Sequence, residues 1–340
     1  MLRINTFPYW LAITGVMVFT MIVIGGLTRL TGSGLSMVDW APIMGILPPL
    51  SLEDWQAAFV AYQQHPEFQI MHPDMDLAGF QSIFWLEYIH RVWGRLMGLV
   101  LLVPTIIAFR HQALSEYRTR MIGLWMLGAG QALMGWYMVK SGLINEPWVS
   151  PYRLTAHLCL AALIMAAIVA MIHKIRCTVP VMLPRWRGIK RYMSLLFFMV
   201  CLTVVYGGFT AGMKAGLIYN TFPDMNGQML PDDLWAMAPW YLNPVQNPTT
   251  VQFFHRILAL STLGLAGYIA YQMLQTPGVW RRFAFALIFV AGMQVVLGVS
   301  TLVMHVPISL AVIHQAWAFV LFITVFWIFL SVITGRQQRM

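Results

Sequence analysis

Eight stretches of this chain are each long and apolar enough to cross a lipid bilayer. They lie at about 9–30, 83–109, 121–140, 153–173, 192–213, 251–274, 283–304 and 308–334. A hydrocarbon core of about 30 Å takes about 20 apolar residues of helix, and lipid accepts only backbones whose polar groups are satisfied internally. The expected fold class is therefore all-α: a polytopic membrane protein with eight transmembrane helices. Composition agrees, since 59% of residues are hydrophobic and 10% charged, where soluble domains carry about 25% charged residues. The first stretch lacks the short apolar core and small-residue cleavage site of a secretory leader, so it reads as a retained helix. No transit peptide precedes it, which favours a bacterial inner membrane.

The basic residues give an orientation. Arg3, Arg110, Arg118, Arg120, Lys174, Arg176, Arg185, Arg187, Lys190, Arg191, Arg281, Arg282, Arg336 and Arg339 fall on one side of the eight spans, 14 of the 21 Lys and Arg. By the positive-inside rule that side is cytoplasmic, which puts both termini inside. Of the acids only Glu116 lies there. The net charge of +9 thus follows from membrane topology; lipid is the implied partner and nucleic acid is not. Cys159, Cys177 and Cys201 are spaced like neither a zinc nor an iron–sulfur site.

The chain also repeats itself. Gly25-Gly26-Leu27-Thr28 at the end of the first span returns as Gly207-Gly208-Phe209-Thr210, and Gly34 returns as Gly216; 207 − 25 and 216 − 34 both give 182. Each unit contains four spans, an even number, so the halves share one orientation and relate by an axis along the membrane normal. Two pseudo-symmetric four-helix bundles are expected, over residues 1–175 and 190–340.

Between the first two spans lies an outward segment of about 50 residues. It opens with turn material, Asp39-Trp40-Ala41-Pro42 and Leu47-Pro48-Pro49. Ser51 then suits the cap of a helix with an acidic first turn, on which Trp55, Phe59 and Tyr62 share a face. Such a helix either anchors at the membrane surface or covers whatever the first bundle holds. The counterpart segment carries Trp235, Trp240 and Tyr241, typical of the headgroup zone.

Four of the nine histidines lie within spans: His90, His157, His255 and His314. They stand 19, 15, 19 and 19 residues from the last apolar residue of each expected span (109 − 90, 172 − 157, 274 − 255, 333 − 314), which places all four in one outer layer. His90 can face His157, and His255 can face His314. Two facing imidazoles in a four-helix bundle suit a six-coordinate heme, with one axial nitrogen and hence one iron ligand from each side. One turn on, Gly94, Ala161, Ala259 and Ala318 leave room beside each ligand. His65, His72, His111, His173 and His305 fall in loops or at helix ends and read as solvated or interfacial. Candidate cations for heme propionates are Arg29, Arg91, Arg95, Arg153, Lys214 and Arg256, with snorkelling to headgroups the alternative for each. The two halves differ at one place: Glu87-Tyr88-Ile89-His90-Arg91 becomes Gln252-Phe253-Phe254-His255-Arg256. Ionisable groups within a membrane are costly and usually functional, and an acid at i−3 from His90 is placed to take and give protons.

Glu-x-x-His-Arg, the doubled Gly-Gly-Leu/Phe-Thr segment, the four span histidines and the eight-span duplication together resemble the heme A synthase family over nearly the whole chain. The resemblance implies oxidation of the C8 methyl of heme O to a formyl group, giving the heme A of terminal oxidases. It implies a substrate heme held between His90 and His157, a cofactor heme b ligated by His255 and His314, and Glu87 as the catalytic acid. Heme O synthase, oxidase assembly factors and an electron donor are the implied partners. No cysteine lies between Leu30 and Ile83, so the chain is similar to the cysteine-lacking branch shared by proteobacterial and mitochondrial members. The four histidines by themselves fit a second reading equally, a di-heme b-type carrier passing electrons from quinol. A transporter built from parallel repeats would need polar groups at mid-membrane, whereas here they crowd the outer layer.

Overall fold

The computed structural model describes residues 3–38, 47–142, 149–177 and 188–335. The expected turn at Asp39-Trp40-Ala41-Pro42 lies outside them. The helices are, in chain order, α1 Phe7–Leu30, α2 Leu52–Gln63, α3 Pro66–Met71, α4 Leu77–Arg110, α5 Ser115–Gly142, α6 Pro151–Arg176, α7 Ile189–Gly212, the short α8 Asn243–Gln246, α9 Pro248–Leu274, α10 Val279–Val303 and α11 Ile308–Thr334. Among the described residues the strand pairing amounts to one isolated bridge, Met225 to Gln228. The all-helical class is as expected.

Among the described residues, seven of the helices are long and apolar enough to cross a membrane. Eight were expected. The stretch at 121–140 does form a helix, the 28-residue α5, but it is not among the seven. Four glycines, Gln131, Lys140 and the aromatic pair Trp136 and Tyr137 make it less apolar than its neighbours.

The chain divides into two compact units, Met1–Ile164 and Met165–Met340. In the first, α1 packs along α4 and α4 meets α5. In the second, α7 packs on α9, α9 on α10, α10 on α11 and α11 back on α7. Apolar residues such as Met193, Leu196, Leu287, Phe319 and Val325 fill the space among these helices.

Helix α4 begins six residues before the apolar stretch that announced it (83 − 77). Its start is set by Asp76, whose carboxylate accepts the Gly79 N–H at 2.8 Å. The added turns carry Phe80, which with Ile83 and Phe84 just beyond receives the segment before α4. Ser51 caps α2 as expected: its hydroxyl accepts the Asp54 N–H at 3.1 Å while Asp54 accepts the Ser51 N–H at 3.0 Å, a reciprocal capping box. The apolar face of α2 is not left for lipid. Trp55 and Tyr62 are buried against Phe80, Ile83 and Phe84, with the Trp55 and Phe84 rings edge to face at 4.9 Å. Trp235, Trp240 and Tyr241 in the counterpart segment are exposed.

Under α2 sits a buried acid that periodicity does not announce. Glu67, on α3, accepts a hydrogen bond from the Tyr62 hydroxyl at 3.2 Å and is 5% exposed. Burial pushes its carboxyl up to about 8; the charge of Glu87 adds to this, while the Tyr62 hydroxyl opposes it. The folded segment therefore holds a proton that the unfolded segment releases above its ordinary value of 4.5. Its stability is fully present below that value and declines as pH rises toward about 8. Limited proteolysis across residues 52–71 is expected to accelerate from pH 5 to pH 8, and Glu67→Gln to flatten that dependence. An identical pH profile in the variant would remove Glu67 as its cause.

Candidate functional site

The four span histidines lie at matched depths. Measured to the observed helix ends, His90 is 20 residues from the end of α4 (110 − 90), His157 19 from the end of α6 (176 − 157), His255 19 from the end of α9 (274 − 255) and His314 20 from the end of α11 (334 − 314). The apparent outlier in the sequence, His157 at 15, disappears because α6 runs on to Arg176. At about 1.5 Å per residue each histidine stands about 28–30 Å along its helix from that end. His157 lies within electrostatic reach of His90, and His314 within reach of His255. The structure brings together the pairs expected from the repeat.

Each imidazole rests on a glycine of the preceding long helix. A Cβ on Gly25 of α1 would stand 3.1 Å from His90 Cε1, one on Gly135 of α5 3.4 Å from His157 Cε1, one on Gly207 of α7 3.2 Å from His255 Cε1, and one on Gly298 of α10 2.8 Å from His314 Cε1. Of the small residues one turn along each histidine's own helix, Ala161 is buried, and a Cβ on Gly94 would meet Met21 at 3.3 Å. The tight approach, however, is across the helix–helix contact. Gly25 and Gly207 were visible as a repeat without their purpose; Gly135 and Gly298 were missed. Gly298→Ala is expected to push His314 off its seat and to cut bound heme several-fold in the purified protein. Gly292→Ala, on the same helix with nothing within 4 Å of its added methyl, is the control, since alanine favours a helix interior by about 0.5–1 kcal/mol. Equal heme content in the two variants would show that the seat does not matter.

Glu87 is held from four directions. Its Oε2 accepts the Ser36 hydroxyl at 2.7 Å and the Met37 N–H at 2.8 Å; its Oε1 accepts Arg91 Nη2 at 2.6 Å and Nε at 3.1 Å. Arg91 Nη2 also donates to the Met37 carbonyl at 2.8 Å. The carboxyl is 3% exposed. The second half repeats this clasp with an amide. Gln252 Nε2 donates to the Tyr219 carbonyl at 3.0 Å, and Arg256 Nη2 donates to the same oxygen at 2.9 Å. Tyr219 is the counterpart of Met37, because 219 − 37 is again 182. In both halves, then, the Glu/Gln and Arg one turn apart hold the backbone just after the helix that bears the double glycine.

The other expected cations differ in their surroundings. Arg256 also donates to the carbonyls of Thr221 and Asp224. Arg153 meets Tyr137, its guanidinium 3.9 Å from the ring centroid and Nη2 donating to the hydroxyl at 3.1 Å. Arg29 lies half-buried in the last turn of α1; its counterpart in the second half, 29 + 182, is Ala211. Lys214 is exposed just beyond α7, with a positive φ of 54°. His173 is not interfacial as expected: it is buried, shares a 3.1 Å hydrogen bond with Ser331 and meets the Trp327 ring edge to face.

The residues present fit a heme at each pair. Nδ1 of His90, His157 and His255 and Oε1 of Gln131, Gln252 and Gln294 are buried side-chain atoms with no hydrogen-bond partner. Leaving one such atom unsatisfied costs roughly 1–3 kcal/mol, so their concentration around the histidines marks places shaped by something beyond packing. Among the described residues no three His, Cys, Asp or Glu side chains converge as a metal site. Paired imidazoles without a third protein ligand suit an iron whose equatorial ligands come from a macrocycle.

A model of the COX15-CtaA family, described as cytochrome oxidase assembly protein, matches residues 8–326. A protein of Nitrosospira multiformis named heme A synthase is 41% identical, covering 94% of this chain and 91% of its own length. One of Paramagnetospirillum magneticum with the same name is 44% identical, covering 94% and 91%, and one of Wolbachia pipientis is 39% identical, covering 92% and 89%.

Proposed function

Because the chain belongs to the COX15-CtaA family of cytochrome oxidase assembly proteins, we propose that it oxidises the C8 methyl of heme O to a formyl group, giving heme A. It is a multi-pass membrane enzyme with a heme as its substrate. The observation that carries the reading is the pairing of glycine-seated imidazoles within each unit, with a buried carboxyl at the same place in only one of them. A pure electron carrier needs no such difference.

We place the substrate in a bundle of residues 1–175, with His90 and His157 on its two sides, and heme b in a bundle of residues 190–340, on His255 and His314. The eight helices together span the membrane, α5 being the least apolar of them. Bound there, heme b supplies a one-electron redox centre. Taken against water, conversion of methyl to formyl releases four electrons and four protons, so the substrate side needs a proton acceptor and the chain needs an electron partner. Glu87 is the acceptor, with Ser36 and Arg91 fixing its two oxygens. Arg29, Arg91, Arg256 and Lys214 supply positive charge to the propionates at the outer margin. The packed outer helix α2 keeps bulk water from the outer end of α4. The location is the bacterial inner membrane, with both termini cytoplasmic and the heme sites toward the outer face; heme O synthase and oxidase assembly factors are the partners that deliver substrate and receive product.

Extraction of the pigments from the purified protein tests this. Heme b together with heme O, heme A or the intermediate alcohol is expected. A single heme type at both sites would favour a di-heme electron carrier instead.

A further inference from the structure

The third helix of each half carries the same pair of residues at the same spacing. Gln131 and Gly135 on α5 recur as Gln294 and Gly298 on α10; 294 − 131 and 298 − 135 both give 163. The glycine of each pair seats the histidine of the next helix, and the glutamine touches that histidine's ring. Gln131 Nε2 lies 3.2 Å from His157 Nε2 and 3.2 Å from the His157 carbonyl oxygen; Gln294 Nε2 lies 3.3 Å from His314 Nδ1. The amide oxygens, Oε1 of Gln131 and of Gln294, are buried without a hydrogen-bond partner. His90 and His255 rest on Gly25 and Gly207.

An amide offers a donor and an acceptor that exchange by a half-turn of its plane, and an imidazole exchanges its two nitrogens in the same way. A neutral imidazole that gives one nitrogen to a metal carries its proton on the other, and that N–H seeks an acceptor. The spare oxygen of Gln294 is within one such half-turn; at Gln131 the same half-turn gives up the Nε2 bond to the His157 carbonyl. We propose that Gln131 and Gln294 are positioning residues that accept the N–H of His157 and His314, fixing the ring plane and raising the basicity of one axial ligand in each pair. The proposal rests on heme ligation by these histidines.

The test uses the intact protein with its heme b and the variants Gln294→Leu, Gln294→Glu and His314→Ala. Release of heme b to excess apomyoglobin, the low-spin electron paramagnetic resonance signal and the midpoint potential are followed. Gln294→Leu is expected to release heme b roughly ten- to a hundredfold faster, with a shifted or broadened low-spin signal. Gln294→Glu, a stronger acceptor, is expected to restore retention and to lower the midpoint potential. Wild-type retention, signal and potential in Gln294→Leu would overturn the proposal. Should Gln294→Leu not accumulate, an unchanged potential in Gln294→Glu overturns it alone. His314→Ala separates the two readings: if it keeps heme b with a wild-type signal, the ligation reading itself fails, whatever Gln294 does.

Discussion

Glu87→Gln is expected to leave the fold and heme b in place while conversion of heme O to heme A falls by about 10²–10⁴-fold, the contribution of a positioned acid–base group. The second half of the molecule shows why this substitution is a clean one. There Gln252 occupies the matching position and holds the loop through the Tyr219 carbonyl at 3.0 Å, so an amide suffices for the clasp. In the first half an amide at position 87 can still accept the Met37 N–H and the Ser36 hydroxyl; what it cannot do is carry a transferable charge. Arg91 keeps its own bond to the Met37 carbonyl. Heme content of the purified variant and heme A in the cells are the two readings. Wild-type heme A would reduce Glu87 to the same clasp that Gln252 makes.

The double variant His255→Ala, His314→Ala is expected to reduce heme b to background in the purified protein. Both imidazoles that would hold heme b go, and the helix contacts at Gly207 and Gly298 lose the rings that fill them. Removing one imidazole leaves the other as a ligand, so a single variant is the weaker test. His90 and His157, proposed to flank the substrate, lie in the other unit, so heme O is expected to remain bound while its oxidation stops. Full heme b content in the double variant would contradict the assignment of these histidines. Loss of both hemes together would contradict the division of labour between the halves.

Much of this was legible before any coordinates, because it is written in long periods. A duplicated segment at a constant offset of 182 announces two related halves, and four histidines near the same ends of apolar stretches announce one layer. The capping box at Ser51 is local chemistry and read directly. What stayed hidden depends on contacts across the fold. Nothing in the spacing of Glu87 and Arg91 says that they hold Met37, fifty residues earlier; that needs the loop after α1 to return over α4. Trp55 and Tyr62 looked suited to a membrane surface because amphipathicity does not say what covers the apolar face, and here α4 does. Glu67 carries no periodic signal, and its burial follows from the way α2 and α3 fold over Phe80. The stretch at 121–140 was recognised by length, yet Gly135 and Gln131, two of the residues that lower its hydropathy, are the ones that face His157. Gln131 and Gln294 could have been found from their shared offset of 163, had the repeat been followed beyond its longest match.

Conversion of heme O to heme A by this chain is read most directly from the pigment composition of a host that makes heme O but no heme A. With this chain expressed in such cells, chromatography of the extracted hemes is expected to show heme A at the expense of heme O, and Glu87→Gln to show heme O with little or none. Heme b and undiminished heme O, without heme A or its alcohol precursor, from cells shown to contain the folded heme-bearing protein, would contradict it.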